Sequence, residues 1–249
     1  MAVKRMRVFA GPNGSGKTTI FKGILEEEKI QLGIYVNADD LEKELNLKNS
    51  INFSDFNLSI TEEQLTVFFK ESSFSPIKRQ EPDLWKKLTI TDNCFICKAK
   101  IDSYLAADLA EFIRQQLLLA GNSFTYETVM SYPGKIDFLQ QAIQKGYKVY
   151  LYYIATVDPE ININRVNVRV AQDGHMVSPE IIRKRYYKSL ENLKNAVMKT
   201  NRAYIFDNSQ VQAKLIAEIT EGSVVYLNDV NDVPIWVDDY LLQKNKEVT

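Results

Sequence analysis

The sequence predicts an α/β fold in three layers, with a mostly parallel five-stranded sheet, a helical lid and an inserted segment. β-Prone runs alternate with segments of helical apolar spacing along most of the 249 residues, as in right-handed βαβ units. The first β-prone run leads directly into a glycine-rich loop and a helix, which predicts a ligand site at the carboxyl ends of the strands. The length favours a single domain over residues 1–249.

The predicted strands are β-prone runs at residues 5–10, 33–37, 123–126, 147–155 and 203–207. The run at 147–155 is almost continuously apolar, which is typical of a buried parallel strand. Helices are predicted from apolar residues that recur on one face, at 18–28, from 38 onward for a short segment, and at 101–120, 133–145, 158–170 and 179–198. Pro133 and Pro179 begin two of these helices, and Gly121 and Gly146 end two.

Two regions depart from the regular alternation. Residues 51–100 have no clean apolar period, and we predict an insertion there. Residues 220–249 are predicted to be a C-terminal extension, with a short helix at about 211–219 before it and β-prone runs at 224–227 and 233–237. Cys94 and Cys97 form a C-x-x-C, but a tetrahedral zinc site needs two more ligands from a chain with one histidine. We therefore expect two reduced thiols beside a helix start.

The charge balance bears on the class of partner. Thirty-one basic and 32 acidic residues give a formal net charge of −1, so the sequence predicts no broad cationic surface for nucleic acid or anionic lipid. No stretch approaches the roughly 20 apolar residues of a membrane span. We expect a cytoplasmic protein with no membrane association, and nucleic acid is not an expected partner.

The glycine-rich loop has the strongest functional signal. Gly11-Pro12-Asn13-Gly14-Ser15-Gly16-Lys17-Thr18 fits the pattern G-x-x-x-x-G-K-[ST] between a predicted strand and a predicted helix. Glycines let backbone N–H groups turn toward a phosphate, the helix N-terminus adds its positive end, and Lys17 adds a charge. Thr18 is placed to ligate Mg²⁺, and Thr19 follows in the first turn. The sequence thus predicts a P-loop NTPase fold that binds ATP with Mg²⁺; a nucleotide site without hydrolysis is the alternative.

Two carboxylates distinguish among the P-loop classes. The chain has no N-K-x-D guanine-reading motif and no apolar strand ending in Asp-Glu, which argues against a GTPase and against an AAA-type or transporter ATPase. Instead Asp39 follows the second predicted strand, and Glu127 with Thr128 follows the third. Kinases of small molecules need a fixed base for the acceptor hydroxyl. The alternatives are a helix cap for Asp39, a role that Asp40 could equally fill, and a solvated position for Glu127.

An arginine-rich segment is predicted to form the lid. Arg165 and Arg169 lie four residues apart on one helix face, and Arg183 begins the returning helix. A guanidinium stays charged and binds phosphate oxygens through two N–H groups. The alternative is a solvated basic helix, with partners such as Glu180 and Glu191. His175 in the intervening loop either contacts substrate or caps the loop.

Two other functions remain open from the residues alone. Basic pairs at 78–79, 86–87 and 98–100, with Phe74 and Trp85 nearby, would favour a nucleic-acid-linked ATPase or RNA-end kinase if they cluster in a groove. A binding module regulated by nucleotide is the other alternative.

Several motifs together resemble one kinase family. They are the loop 11–18, Asn37-Ala38-Asp39, Phe124-Thr125-Tyr126-Glu127-Thr128, Arg165-x3-Arg169 with Gly174-His175, Ile182-x2-Arg185-Tyr186 and Phe206-Asp207-Asn208-Ser209. The chain resembles the zeta toxin-like P-loop kinases, in particular a bacterial branch described as predicted ATPases. The resemblance covers residues 1 to about 209 except the insertion.

The resemblance implies an activity and a partner. Zeta toxins phosphorylate the 3′-hydroxyl of UDP-N-acetylglucosamine, and an antitoxin protein blocks their nucleotide site. By this resemblance Lys17 is the phosphate-binding lysine, Asp39 the base and Glu127 the substrate-side glutamate. Arg169 and Arg183 correspond to the arginines that contact phosphate. The expected acceptor is a small-molecule hydroxyl, such as that of a nucleotide sugar, although residues 51–100 have no counterpart in the family pattern.

Overall fold

The computed structural model describes residues 3–28, 32–72, 77, 79–170, 177–229 and 232–242. The strands are β1 Arg5–Ala10, β2 Ile34–Val36, β3 Ser50–Asn52, β4 Leu88–Thr91, β5 Cys94–Cys97, β6 Phe124–Thr128, β7 Lys148–Ala155, β8 Arg202–Asp207, β9 Lys214–Thr220 and β10 Ser223–Leu227. The helices are α1 Lys17–Glu28, α2 Ala38–Lys48, α3 Glu62–Glu71, α4 Ser103–Ala120, α5 Gly134–Gln144, α6 Pro159–Val170, α7 Pro179–Glu191, α8 Leu193–Met198 and α9 Ile235–Val237. A π-helical turn, Asp238–Leu242, follows α9.

The chain divides into two compact units. The first unit comprises Met1–Gln31 and Glu127–Thr249, and the second comprises Leu32–Tyr126. The larger sheet has the strand order β10-β9-β8-β7-β1-β6-β2, and the division falls within β6. The α/β fold class predicted from the sequence is confirmed, but the sheet has seven strands rather than five.

In the first unit, β1, β7 and β8 form a parallel core. Val8 is in register with Leu151, and Leu151 with Ala203, and all three side chains are fully buried. The buried residues of β7 run without a break from Leu151 to Ala155, as the continuous apolar sequence predicts for a strand covered on both faces. This core holds the carboxyl ends of β1, β7 and β8 at one edge of the sheet, because parallel strands end on the same side.

The two extra strands of the first unit correct the prediction for its C-terminal part. Residues 211–219 were predicted to be helical, but β9 pairs antiparallel with β8, with Ile205 in register with Ala217. Ile216, Ala217 and Ile219 are buried on β9, so pairing with β8 outweighs the local helical spacing. The β-prone run at 224–227 forms β10, antiparallel to β9.

Two further boundaries differ from the prediction. The run at 233–237 is not a strand: Pro234 precedes the short helix α9, which buries Trp236 and Val237. The predicted helix 179–198 is broken at Asn192 into α7 and α8, and the Asn192 side-chain amide donates a hydrogen bond to Met130 O at 2.9 Å. This tertiary hydrogen bond accompanies the break in the helix.

The second unit contains β2 and the first residues of β6, which pair in parallel, together with α2, α3 and α4. Residues from the predicted insertion form a separate antiparallel sheet in the order β3-β5-β4. Buried Phe53, Phe69 and Phe95 form a core there with Phe112 of α4. Aromatic burial of this kind explains why the segment lacks a simple period: its phenylalanines come from a strand, a helix and a 3₁₀ turn.

The two cysteines lie on β5 as free thiols, not beside a helix start as predicted. Burial raises the pKa of the Cys97 thiol above its ordinary value. Among the described residues, no group of three or more His, Cys, Asp and Glu side chains could hold a metal ion. In the same part of the chain, no helix is long and apolar enough to cross a bilayer.

Candidate functional site

The phosphate loop, residues 11–18, connects β1 to α1, and its path requires glycine, as Gly14 and Gly16 illustrate. Gly14 has φ +75°, and a Cβ there would lie 2.4 Å from Asn162 O. Gly16 has φ +91°, and a Cβ there would lie 2.2 Å from the Asn208 side-chain nitrogen. Any other residue would therefore be strained and would clash. Because these glycines have no side chains, the loop backbone can approach a phosphate closely. The first N–H groups of α1 have no partner within the helix and can also donate to a phosphate.

Two asparagine side chains hold the loop from opposite parts of the first unit. Asn162 Nδ2, on α6, donates to Asn13 O at 2.8 Å, and Asn208 Nδ2, just after β8, donates to Ser15 O at 2.8 Å. Asn162 is fully buried, and its Oδ1 accepts a hydrogen bond from Thr156 Oγ1. Sequence reasoning missed both roles. The only signal was indirect, since Asn208 belongs to a motif quoted for the family resemblance.

Lys17 folds back over the loop. Its Nζ donates to Gly11 O at 3.0 Å and to Pro12 O at 2.9 Å. Both acceptors are neutral carbonyls, whereas a phosphate oxygen would form a charge-assisted hydrogen bond that is about twice as strong. The ammonium group is therefore placed to exchange these carbonyls for an anion without moving far from the loop.

Thr18 and Glu127 meet across the first unit. Thr18 Oγ1 donates to Glu127 Oε2 at 2.9 Å, which brings the first turn of α1 to the end of β6. Thr18 and Thr19 are exposed, and Glu127 is half-buried. A hydroxyl oxygen beside a carboxylate is a hard donor set of the kind that Mg²⁺ prefers, so these residues fit the predicted metal.

The end of β6 is also tied to the phosphate loop through its backbone. Gly11 N donates to Thr128 O at 3.2 Å, and the Thr128 hydroxyl accepts from Met130 N at 3.2 Å. Met130 adopts a left-handed conformation with φ +56°, which turns the chain sharply after the strand. The backbone of β6 therefore fixes where Glu127 stands relative to the loop, while the predicted substrate role of Thr128 stays a prediction.

Asp39 lies in the second unit, in the first turn of α2. The residue that caps this helix is Asn37, whose Oδ1 accepts from Asp39 N at 2.8 Å and whose Nδ2 donates to Tyr35 OH at 2.9 Å. Neither Asp39 nor Asp40 is the cap, so that alternative is wrong for both. The Asp39 side chain is exposed in this first turn. Its role as a base stays a prediction.

The structure gives the three predicted lid arginines different surroundings. Arg165 donates to the backbone carbonyls of Asn208 at 2.7 Å and Gln210 at 3.4 Å, so it braces the segment after β8. Arg183 on α7 pairs with Glu160 on α6, with Nε 2.7 Å from Oε1. The alternative of a solvated basic helix named Glu180 and Glu191 as partners, whereas the carboxylate that pairs with Arg183 is Glu160. Arg169 lies exposed in the last turn of α6. His175 lies outside the described residues.

The basic residues of the insertion bear on the nucleic-acid alternative. Arg79 pairs with Glu81 at 2.6 Å and with Asp102 at 2.9 Å, and Lys87 pairs with Glu81 at 3.0 Å. Lys86 pairs with Asp83 at 3.0 Å, while Lys70 Nζ lies 4.1 Å from the centre of the Trp85 ring. Phe74 and Lys78 lie outside the described residues. These basic side chains are engaged by neighbours within the second unit, which weakens the case for a groove that binds RNA.

Residues 103–230, just over half of the chain, match a family model described as Zeta toxin. The matched range begins at α4 and includes Glu127, the three lid arginines and the segment after β8. A protein of Haemophilus influenzae described as uncharacterized is 33% identical over 63 residues, which is 25% of this chain and 45% of that protein. The chain thus matches less than half the length of this relative.

Three solved structures share the fold. The AvrRxo1-ORF1:AvrRxo1-ORF2 complex with sulphate ions has a TM-score of 0.53 at 14% identity, over 92% of this chain and 62% of that one. The same pair with ATP gives 0.52 at 16% identity, with the same coverage. The PezAT chromosomal toxin-antitoxin system of Streptococcus pneumoniae gives 0.51 at 14% identity, over 99% of this chain and 82% of that one. At these identities the likeness shows the fold alone.

Proposed function

The chain belongs to the zeta toxin family, and from this premise we propose that it is an ATP-dependent kinase that transfers the γ-phosphoryl group to a hydroxyl of a small molecule. The observation that carries the proposal is the contact of Thr18 with Glu127 beside Lys17 in a glycine-restricted phosphate loop. It combines a cation for the phosphates, an oxygen ligand for a metal and a carboxylate on the acceptor side.

Each residue has a proposed task. The backbone of residues 11–18 and the Lys17 ammonium bind the β and γ phosphates, and Thr19 and Arg165 complete the nucleotide site. Mg²⁺, held by the Thr18 hydroxyl, would neutralise charge on the phosphate oxygens. Asp39 takes the proton of the acceptor hydroxyl, and Glu127 and Thr128 bind the acceptor. Arg169 and Arg183 stabilise the charge that develops on the transferred group.

We base the proposed identity of the substrate on the resemblance to the zeta toxins. The proposed acceptor is a nucleotide sugar such as UDP-N-acetylglucosamine, and the proposed protein partner is an antitoxin. The AvrRxo1 structure is that of an ORF1:ORF2 pair and the PezAT structure is that of a toxin-antitoxin system, which supports the search for such a partner. Its place of action would be the cytoplasm, where ATP and nucleotide sugars are both present.

The test is ATP consumption by the purified protein with Mg²⁺ in the presence of nucleotide sugars, nucleosides or short RNAs. Wild type is compared with Lys17→Ala and Asp39→Asn, and with Lys22→Ala as the matched control, since Lys22 is exposed on the same helix. We expect a phosphorylated nucleotide sugar from wild type and Lys22→Ala, and none from the other two. A phosphorylated RNA end would support an RNA kinase instead. ATP binding without turnover on any acceptor would support a regulated binding module.

A further inference from the structure

Asp207, at the end of β8, is a buried carboxylate to which the proposed reaction gives no task. Its side chain is 8% exposed and accepts three hydrogen bonds. Oδ1 accepts from Ser209 N at 3.0 Å, and Oδ2 accepts from Ser209 Oγ at 3.0 Å and from Trp236 Nε1 at 2.8 Å. Two donors thus come from the turn that follows β8, and the third comes from α9.

The turn held by Asp207 carries the asparagine that holds the phosphate loop. Asn208 N donates to Ala155 O at 2.8 Å, and its side-chain amide donates to Ser15 O at 2.8 Å. Because that amide occupies the space of a Cβ on Gly16, a small shift of the turn would move the loop backbone where it meets phosphate. Ser209 Oγ also accepts from Val157 N at 2.9 Å, so the turn is fixed to β7 and β8 together.

Trp236 is held firmly enough to act as a fixed donor. It is 2% exposed, and its ring centre lies 6.1 Å from that of Tyr153 on β7. Its neighbour Val237 is fully buried. Trp236 lies beyond residue 230, where the match to the family model ends, so its hydrogen bond to Asp207 joins the matched part of the chain to a segment outside the match.

We infer that Asp207 and Trp236 are positioning residues for the nucleotide, acting through Asn208 on the phosphate loop. The indole N–H fixes the carboxylate, the carboxylate fixes the turn, and the turn holds Ser15 O in place. The C-terminal segment thereby acts on the nucleotide site through Asp207 and Asn208, without contacting the nucleotide. This inference rests on the proposed nucleotide site, so its test includes a measurement that needs no nucleotide.

The first variant is Trp236→Phe, which removes the donor and keeps a buried ring. Trp85→Phe is the matched control, because Trp85 lies in the second unit and packs under Lys70. In the ligand-free protein, we expect faster amide hydrogen exchange in residues 11–18 and 207–210 of Trp236→Phe and no change there in Trp85→Phe. Exchange elsewhere in β7 and β8 should stay at the wild-type rate. Unchanged exchange in both segments would overturn the inference, whether or not the protein turns over ATP.

Steady-state kinetics of Trp236→Phe distinguish a role in positioning the nucleotide from a purely structural role of Trp236. Loss of one hydrogen bond to a charged group should raise the KM for ATP about tenfold in Trp236→Phe. The value of kcat should stay within about twofold, as expected when binding shared by ground and transition states is lost. A loss of kcat at an unchanged KM would overturn the inference.

A second variant, Asp207→Asn, changes the acceptor instead of the donor, and its effect on the KM for ATP can be measured in the wild-type background even if Trp236→Phe folds poorly. In Asp207→Asn, either orientation of the amide places its NH2 group against an N–H donor, that of Trp236 or that of Ser209, which should disturb the turn and raise the KM for ATP. In the Trp236→Phe background that conflict is absent, so the effect of Asp207→Asn should be smaller there than in wild type. Independent effects, with KM changes that multiply, would show that the two residues do not act as a pair.

Discussion

Thr18 donates a hydrogen bond to Glu127 across 109 positions of sequence, with the two side-chain oxygens 2.9 Å apart. The contact joins the N-terminal turn of α1 to the carboxyl end of β6, the two places where the proposed reaction needs a metal ligand and an acceptor-side carboxylate. The same strand end is held to the loop by the backbone bond between Gly11 and Thr128. The site is therefore built by neighbouring strand ends rather than by a local sequence motif alone.

Thr18→Val should separate the metal role of this hydroxyl from its structural one. Valine keeps the branched shape but has no oxygen, so we expect turnover at saturating ATP to fall at least about tenfold and to need more Mg²⁺. Thr18→Ser retains the hydroxyl and should stay close to wild type. The measurement is steady-state turnover against Mg²⁺ concentration. Identical Mg²⁺ dependence of Thr18→Val and wild type would contradict the role given to Thr18.

Gly14→Ala should destabilise the protein, whereas Gly23→Ala should not. A methyl group on Gly14 meets Asn162 O in a left-handed backbone, while one on Gly23 in α1 meets nothing within 4 Å. Alanine in place of glycine inside a helix stabilises by about 0.5–1 kcal/mol. Urea unfolding of both variants gives the free energies directly. A Gly14→Ala protein as stable as wild type would contradict the close packing of the loop against α6.

Arg183 should matter to catalysis more than its ion pair suggests. Removing it should lower kcat by about a hundredfold or more if it stabilises the transferred phosphoryl group. Glu160→Gln, which breaks the pair and leaves the guanidinium in place, should leave kcat at or above the wild-type value. Arg202→Ala is the matched control, since Arg202 is also half-exposed and paired, with Glu218 at 3.2 Å. Equal losses of kcat in Arg183→Ala and Glu160→Gln would indicate that the ion pair itself is what matters.

Glu81 should make the stability of the second unit depend on pH in the acidic range. A hydrogen bond from Lys87, and then one from Arg79, lowers the pKa of Glu81 below its ordinary 4.5. A carboxyl whose pKa is lowered by folding contributes stability above its unfolded pKa and loses it as pH falls through the folded value. As the pH is lowered from about 6 to about 3, the free energy of unfolding should therefore decrease less steeply for Glu81→Gln than for wild type. Parallel curves would show that the network contributes nothing to folding.

The parts of the molecule that were predictable from the sequence are those encoded locally. The phosphate loop was found because its glycines, lysine and threonine have a fixed spacing set by phosphate geometry. Strand β7 was found because a strand buried on both faces must be continuously apolar. Glu127 was selected as a candidate because it follows the predicted strand at 123–126, and its role stays a prediction.

The parts that the sequence did not predict depend on distant partners. Leu215, Ile216 and Ile219 fit one face of a helix, and pairing with β8 and β10 makes the segment a strand. Asn162 and Asn208 reach the phosphate loop across 149 and 193 positions, and no local pattern distinguishes them from other asparagines. Asp207 was recognised as lying at a strand end, but its bond to Trp236 depends on the path of the C-terminal segment.

The most direct test of the kinase proposal follows the label of γ-radiolabelled ATP. Wild type, Lys17→Ala and Lys22→Ala are each incubated with labelled ATP, Mg²⁺ and a nucleotide-sugar mixture, and the labelled products are separated. The account predicts label on a nucleotide sugar with wild type and Lys22→Ala, and its loss with Lys17→Ala. Label that appears only in inorganic phosphate, or that remains on ATP in every sample and with every class of acceptor, would contradict phosphoryl transfer to a small-molecule hydroxyl.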